Sequence, residues 1–182
     1  MGITVRTAKP LIKINHRYPD LQVLLDVWQV FEFAGAATAL EGQAMRWVAP
    51  HRLSDYAFPA ANAPIITASR LPDRYAILEG RNMKQVLANL DRIIGNRVDL
   101  LQLRLKTLPP AEISAVYAAV LAKCRARGIQ VLLNSDLRLS DQAADGLHLS
   151  SRALLACRSR PANYPWVAAS CHNLAELRHA EH

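Results

Sequence analysis

No apolar run in this 182-residue chain approaches the roughly 20 residues that a membrane-crossing helix needs. The opening residues, 1–13, lack the layout of a signal peptide. Cysteine is scarce: Cys124, Cys157 and Cys171 form an odd, widely spaced set that fits neither a disulfide framework nor a zinc motif. These absences point to a cytoplasmic chain with reduced thiols and no membrane partner. A dense basic run is missing too. The 22 Lys and Arg outnumber 15 Asp and Glu, for a net charge of +7, but they are scattered and not interleaved with aromatics. That disfavours a nucleic-acid partner and favours phosphorylated small molecules. A nucleic-acid-binding or non-catalytic phosphate-binding module is the alternative that the charge permits. With 51% hydrophobic and 20% charged residues, the chain has the composition of a folded protein of one or two domains.

What is present is organised around Asp99-Leu100-Leu101-Gln102-Leu103-Arg104-Leu105-Lys106. Leucines at 101, 103 and 105 alternate with an amide, a guanidinium and an ammonium, which is the period of a strand with one oily and one polar face. The stretch lies between two amphipathic helical patterns, a context in which strands are buried. Donor-rich side chains on a buried strand suit an anionic ligand. On pattern alone, an exposed sheet face explains the polar row as well.

Before residue 71 the chain is β-rich. Leu11-Ile12-Lys13-Ile14 and residues 23–31 are strand-like runs joined by His16-Arg17-Tyr18-Pro19-Asp20, whose Pro-Asp predicts a hairpin-like connection. Residues 35–40 read as a loop, Met45-Arg46-Trp47-Val48 as a further short strand, and Trp28 and Trp47 as core aromatics. Asn62, after Pro59, reads by default as a turn or N-cap residue. Leu71-Pro72-Asp73-Arg74 is the expected linker between a domain at 1–71 and another at 72–182.

Beyond the linker, strand and helix patterns alternate. Tyr75-Ala76-Ile77-Leu78 reads as a strand. Met83, Val86, Leu87, Leu90, Ile93 and Ile94 give one helical stripe. Pro109-Pro110 opens a second helix, with Cys124 on its apolar stripe and Gly128 at its end. Three further strands are expected at 130–134, 146–150 and 166–170, with a short helix at 152–158. Polar residues cluster at the C-terminal ends of these strands, where parallel α/β folds place their sites. His148 reads from its strand setting as a core histidine, and His172 as a residue leading into a helix.

The first part resembles the second half of a MutT-type Nudix hydrolase, from residue 2 to about residue 71. The resemblance is carried by His16-Arg17-Tyr18-Pro19-Asp20, the 23–31 strand, Glu41-Gly42-Gln43 with Arg46-Trp47, and Phe58-Pro59-Ala60-Ala61-Asn62. It implies that Asn62 reads the purine of an oxidised nucleotide such as 8-oxo-dGTP, that Tyr18 lies near the base, and that Glu41 assists catalysis at a Mg²⁺ site. The Nudix box G-x5-E-x7-R-E-U-x-E-E-x-G-U is represented only by Gly2-Ile3, so the expected activity of this half is nil.

The second part, residues 74–182, resembles thiamine phosphate synthase and its relative TenI. Gln102-x-Arg104-x-Lys106, Asn134, Asp145-Gly146-Leu147-His148-Leu149 and Ser170-Cys171-His172-Asn173 carry the likeness. It implies that Gln102, Arg104, Lys106, Asn134 and Ser170 bind aminopyrimidine diphosphate or thiazole phosphate, and that His172 is a proton-transfer base. Mg²⁺ serves both parent families. Ser135 and Ala153 stand where the synthase has metal-holding aspartates, although Asp136 is one step on, and no metal is expected on this chain. The implied fold class is α/β and α+β: the C-terminal part of a Nudix fold, then the first five strands of a TIM-type (β/α)8 barrel, both incomplete. The chain then reads as an internal piece of a longer fusion. We expect no hydrolysis of 8-oxo-dGTP with Mg²⁺ above a buffer control; turnover that disappears in Glu41→Gln would refute this.

Overall fold

The computed structural model describes residues 1–137, 139 and 143–181, in two compact units, Met1–Leu71 and Pro72–His182. His182, placed by the sequence reading at the chain's end inside a fifth helix, lies outside the described residues. No helix among the described residues is long and apolar enough to cross a membrane.

The first unit is built on a long antiparallel hairpin, β1 (Thr4–Arg17) and β2 (Gln22–Ala34), paired from Thr4 with Ala34 to Arg17 with Gln22. Tyr18 N–H donates to the Leu21 carbonyl at 2.8 Å, so Pro19 and Asp20 occupy the turn, as their chemistry predicts. Two 3-10 turns, Pro50–Asp55 and Ala60–Asn62, lead into α1 (Ala63–Arg70), which packs against β1. Ile14 and Ala61 are its buried hydrophobic residues.

Two expectations fail in this unit. Trp28 and Trp47 are not core residues; they are 52% and 72% exposed. A two-stranded ribbon has two broad faces, and one short helix cannot cover both. Nor is Met45-Arg46-Trp47-Val48 a strand. Strands exist through pairing, and no partner edge meets this segment among the described residues; Trp47 instead stacks on Phe33, with ring centroids 6.1 Å apart.

The second unit is a five-stranded parallel sheet in sequential order: β3 (Tyr75–Leu78), β4 (Leu100–Leu103), β5 (Gln130–Asn134), β6 (Gly146–Leu149) and β7 (Trp166–Ala169). Between and after them run α2 (Met83–Gly95), α3 (Pro110–Arg125), α4 (Ser151–Ala156) and α5 (Leu174–Ala180). This mixed α/β layout, with parallel neighbours in chain order, fits part of a TIM-type barrel. β3 and β7 are its two edges, and closure is not seen among the described residues.

Alternation sorts each strand's residues to two faces. Leu78, Leu101, Leu103, Val131 and Leu133 join Val86 and Leu90 of α2 and Val116, Val120 and Cys124 of α3 in one core. Burial, with the nearby Asp145 carboxylate, pushes the Cys124 thiol up to about 11, so it is a packing group and not a nucleophile. α3 ends in a Schellman motif: Ile129 N–H reaches the Cys124 carbonyl, Gly128 N–H that of Arg125, and Gly128 takes the required φ of +68°.

Gly146 answers a different demand. A Cβ there would lie 2.5 Å from the Trp166 carbonyl oxygen of the neighbouring strand. We therefore expect Gly146→Ala to cost about 1–3 kcal/mol through overpacking, and Leu101→Ala about 2–5 kcal/mol through cavity formation. Urea unfolding measures both, and an unchanged midpoint in either variant would contradict this packing scheme.

Candidate functional site

The second face of the parallel sheet carries Gln102 of β4, Asn134 of β5 and His148 of β6. Ladder register sets Asn134 beside His148, and Gln102 beside Leu132 and Ile77. Gln102 and Asn134 are 2% and 4% exposed, although both are fully polar side chains. Asn134 Oδ1 accepts from the Asp136 N–H at 3.1 Å, while Gln102 has no side-chain hydrogen bond among the described residues. A buried amide without a protein partner is costly unless a ligand or water completes it.

The polar row does not continue as strand. β4 stops at Leu103, so Arg104 and Lys106, expected on the strand, follow it at its C-terminal end. The Arg104 N–H still donates to the Leu78 carbonyl, which holds its backbone beside β3. Its guanidinium meets Glu79 at 2.5 Å. Lys106 Nζ lies 3.7 Å from Asp136 Oδ2, and Arg152 lies 3.8 Å from Asp136 Oδ1. Such solvent-exposed pairs contribute little to stability, and their partners can be exchanged for a ligand anion at little cost.

His148 is half-buried and bridges two hydroxyls. Its Nδ1 is 2.8 Å from Tyr75 Oη, and its Nε2 is 3.0 Å from Ser170 Oγ. Tyr75 belongs to β3 and His148 to β6, and three strand steps span about 14 Å on a flat sheet. Direct contact requires the sheet to curl toward this face. Burial first, and the Arg104 charge second, hold the His148 imidazole below its ordinary value. Burial likewise raises the Tyr75 phenol, which stays protonated.

His172 is exposed and immediately precedes the N-cap of α5. Its backbone N–H donates to Glu176 Oε2 at 2.7 Å. Glu176, missed in the sequence reading, is buried and also accepts from Ser151 Oγ and from Asn173 Nδ2, while its own N–H donates to Asn173 Oδ1. The Asn173-x-x-Glu176 spacing is the capping-box signal that the sequence carries for it. Tyr75 reads in the sequence only as a strand residue, because nothing local marks a contact three strands away. Asp145 proves structural: its carboxylate accepts from the Val131 N–H at 2.8 Å, tying β5 to β6.

In the first unit, Asn62 occupies the N-cap of α1 but its side chain makes no capping bond. Tyr18 packs edge-on against His16, with ring centroids 4.5 Å apart, and Glu41 accepts from Gln43 Nε2 at 2.8 Å. No hydrogen bond or ring contact joins Tyr18, Glu41 and Asn62 to one another among the described residues. A cavity of about 300 Å³ in the second unit is lined by Leu149 and Ala169, the last residues of β6 and β7, with Leu154, Cys157, Arg158 and His179. It contains none of the side chains just described.

A curled parallel sheet with cationic and amide groups gathered at its strand ends defines an α/β fold with a polar edge. Comparison with known proteins makes the class specific. Residues 74–182 match the family model described as thiamine monophosphate synthase, and the chain belongs to that family. Residues 1–68 match the model described as NUDIX domain, so the chain fuses a Nudix part to a thiamine-phosphate-synthase-like part. The thiamine-phosphate synthase of Thiobacillus denitrificans is 32% identical over 107 residues, covering 56% of this chain and 50% of that protein. The chain thus spans about half the length of the curated relative it matches.

Both families generally use Mg²⁺ and bind phosphorylated small molecules. The donor set here does not fit the metal. Mg²⁺ is held by carboxylates together with waters and substrate phosphates. Among the described residues no three His, Cys, Asp or Glu converge as a metal group. Asp136 is already flanked by Lys106 and Arg152 and accepts from Ser150 Oγ at 3.1 Å.

Glu176 generates a pH prediction. The His172 N–H, then the Ser151 hydroxyl, hold its carboxyl below the ordinary glutamate value of 4.5. Its stabilising contribution is full above that value and is lost as pH falls through the lower folded-state value. Between pH 7 and pH 3.5 the wild-type Tm should fall further than that of Glu176→Gln. Parallel pH curves for the two proteins would contradict the assignment.

Proposed function

We propose that residues 72–182 are the first five strands of a thiamine-phosphate-synthase/TenI-type barrel, and that they bind a thiazole phosphate for tautomerisation without a metal. We further propose that residues 1–71 are the C-terminal half of a Nudix fold without hydrolytic activity. Cytoplasmic small-molecule metabolism is the corresponding setting. The observation that carries this reading is the pairing of buried Gln102 and Asn134 with the cations Arg104 and Lys106 at the same strand ends.

In this reading Arg104 and Lys106 receive the phosphate as charge-assisted donors. Gln102, Asn134 and Ser170 orient the heterocycle, and His172 is a proton-transfer base at the open side. Coupling an aminopyrimidine diphosphate to the thiazole needs more, because the departing pyrophosphate carries charge that a metal would stabilise. With Ser135 and Ala153 supplying no carboxylate, that term is lacking. A proton shift on a thiazole phosphate needs only a held ligand and groups that move a proton. In the first unit Asn62 and Tyr18 would retain a nucleotide-base contact, and Glu41 a carboxylate without its partners.

The test is calorimetric binding of thiazole phosphate in EDTA, followed by an isomerisation assay. We expect binding without Mg²⁺, weakened roughly 10–100-fold in Arg104→Gln, on the scale of one lost charge-assisted hydrogen bond. Isomerisation should fall in His172→Ala. Mg²⁺-dependent formation of thiamine phosphate would overturn the metal-free reading, and isomerisation that persists in His172→Ala would remove that base. Binding with no turnover in either assay would leave a phosphate-ligand module.

A further inference from the structure

We propose that Tyr75, His148 and Ser170 form a proton relay on the concave face of the sheet, with His148 the proton acceptor, and that an anion bound at Arg104 switches the relay on. The proposal deepens the anion-site reading above and rests on it.

The partners of the imidazole are the first reason. A histidine held for packing typically gives its N–H to a carbonyl or carboxylate, which fixes one tautomer. Here both ring nitrogens face hydroxyls, Tyr75 Oη at 2.8 Å and Ser170 Oγ at 3.0 Å. A hydroxyl donates or accepts as required. The neutral ring in either tautomer, and the imidazolium with two N–H donors, are therefore all satisfied without moving a heavy atom. Proton gain at His148 leaves no buried N–H facing another N–H.

The setting of Arg104 is the second reason. It follows β4 at the strand ends, where its one neutralising contact among the described residues is the half-exposed Glu79 carboxylate. The other groups on this side include Asn134, paired with His148 in the ladder, and Asp136, two residues past Asn134, whose carboxylate lies between Lys106 and Arg152. Without a ligand, burial and the Arg104 charge both disfavour imidazolium. A phosphate on the guanidinium cancels that charge and makes the ring more basic at the moment a ligand arrives.

The step balances without a redox partner. Ser170 Oγ takes a proton from a C–H or O–H of the bound ligand as its own proton passes to His148 Nε2, and the electron pair stays in the ligand's conjugated system. Nδ1–H then donates to Tyr75 Oη. Reversal returns the proton to a different ligand atom, which is what a tautomerisation requires of a second proton-handling group beside His172.

The experiment is NMR titration of the histidine ring signals in the intact chain, with and without inorganic pyrophosphate at matched ionic strength, together with the arginine side-chain signals. We expect His148 to titrate below 6.5 in the free chain and to move up toward or above that value with saturating pyrophosphate. Arg104→Gln should raise the free value and abolish the pyrophosphate response. Tyr75→Phe, which keeps the ring and removes one acceptor, should lower it with Tm unchanged. Pyrophosphate that perturbs Arg104 while the His148 titration stays put would overturn the switch but leave the anion site standing. An unmoved Arg104 signal would overturn the anion site and the switch with it. A Tyr75→Phe titration identical to wild type would overturn the relay.

Discussion

Double burial of strand β4 governs the second unit. Leu101 and Leu103 reach into the layer of α2 and α3, while Leu100 and Gln102 are covered on the opposite face. A parallel strand of this kind has no solvent side on which to place a polar group, so Gln102 is committed to whatever the concave face holds. Parallel pairing then brings the C-terminal ends of all the strands to one edge. Arg104, Asn134, Asp136, His148 and Ser170 meet there because each lies at or just after the end of its strand.

Electrostatics at that edge follow from how far each group stands from water. Gln102 and Asn134 are buried and uncharged; Arg104 and Lys106 lie beyond the strand and exchange partners with solvent. His148 lies between, and burial first and the Arg104 charge second both disfavour its imidazolium form. A phosphate at this edge would meet cations first and amides deeper, an order that suits an anion attached to a heterocycle. The Glu176 capping network, by tying the chain after β7 to Ser151 at the start of α4, sets the direction in which the Ser170–Asn173 turn leaves the sheet.

The first unit shows what happens without such enclosure. Its hairpin is long and well paired, but its aromatic side chains stand in solvent because a ribbon of two strands offers more apolar surface than α1 covers. Tyr18, Glu41 and Asn62 are each held by local contacts, and no hydrogen bond or ring contact joins them to one another among the described residues. Pairing geometry alone makes a scaffold; a site needs layers that converge.

Local periodicity was enough to place β3, β4, β5, β6, β7 and the helices α2, α3 and α4 to within a few residues. Alternation in strands and a 3.6-residue stripe in helices are properties of neighbouring residues. The Gly128 helix stop, the Pro19-Asp20 turn and the family likeness of both halves were legible for the same reason: each is written in a short, contiguous motif. Three things were not. The ends of β4, and with them the positions of Arg104 and Lys106 off the strand, depend on where β3 and β5 stop pairing. The exposure of Trp28 and Trp47 depends on how many layers are available to cover a ribbon. The Tyr75–His148–Ser170 line joins strands 73 and 22 residues apart in sequence, and arises because the sheet curls. Periodicity speaks for residues a few positions apart; burial and polar pairing across a sheet are settled when distant segments share one volume.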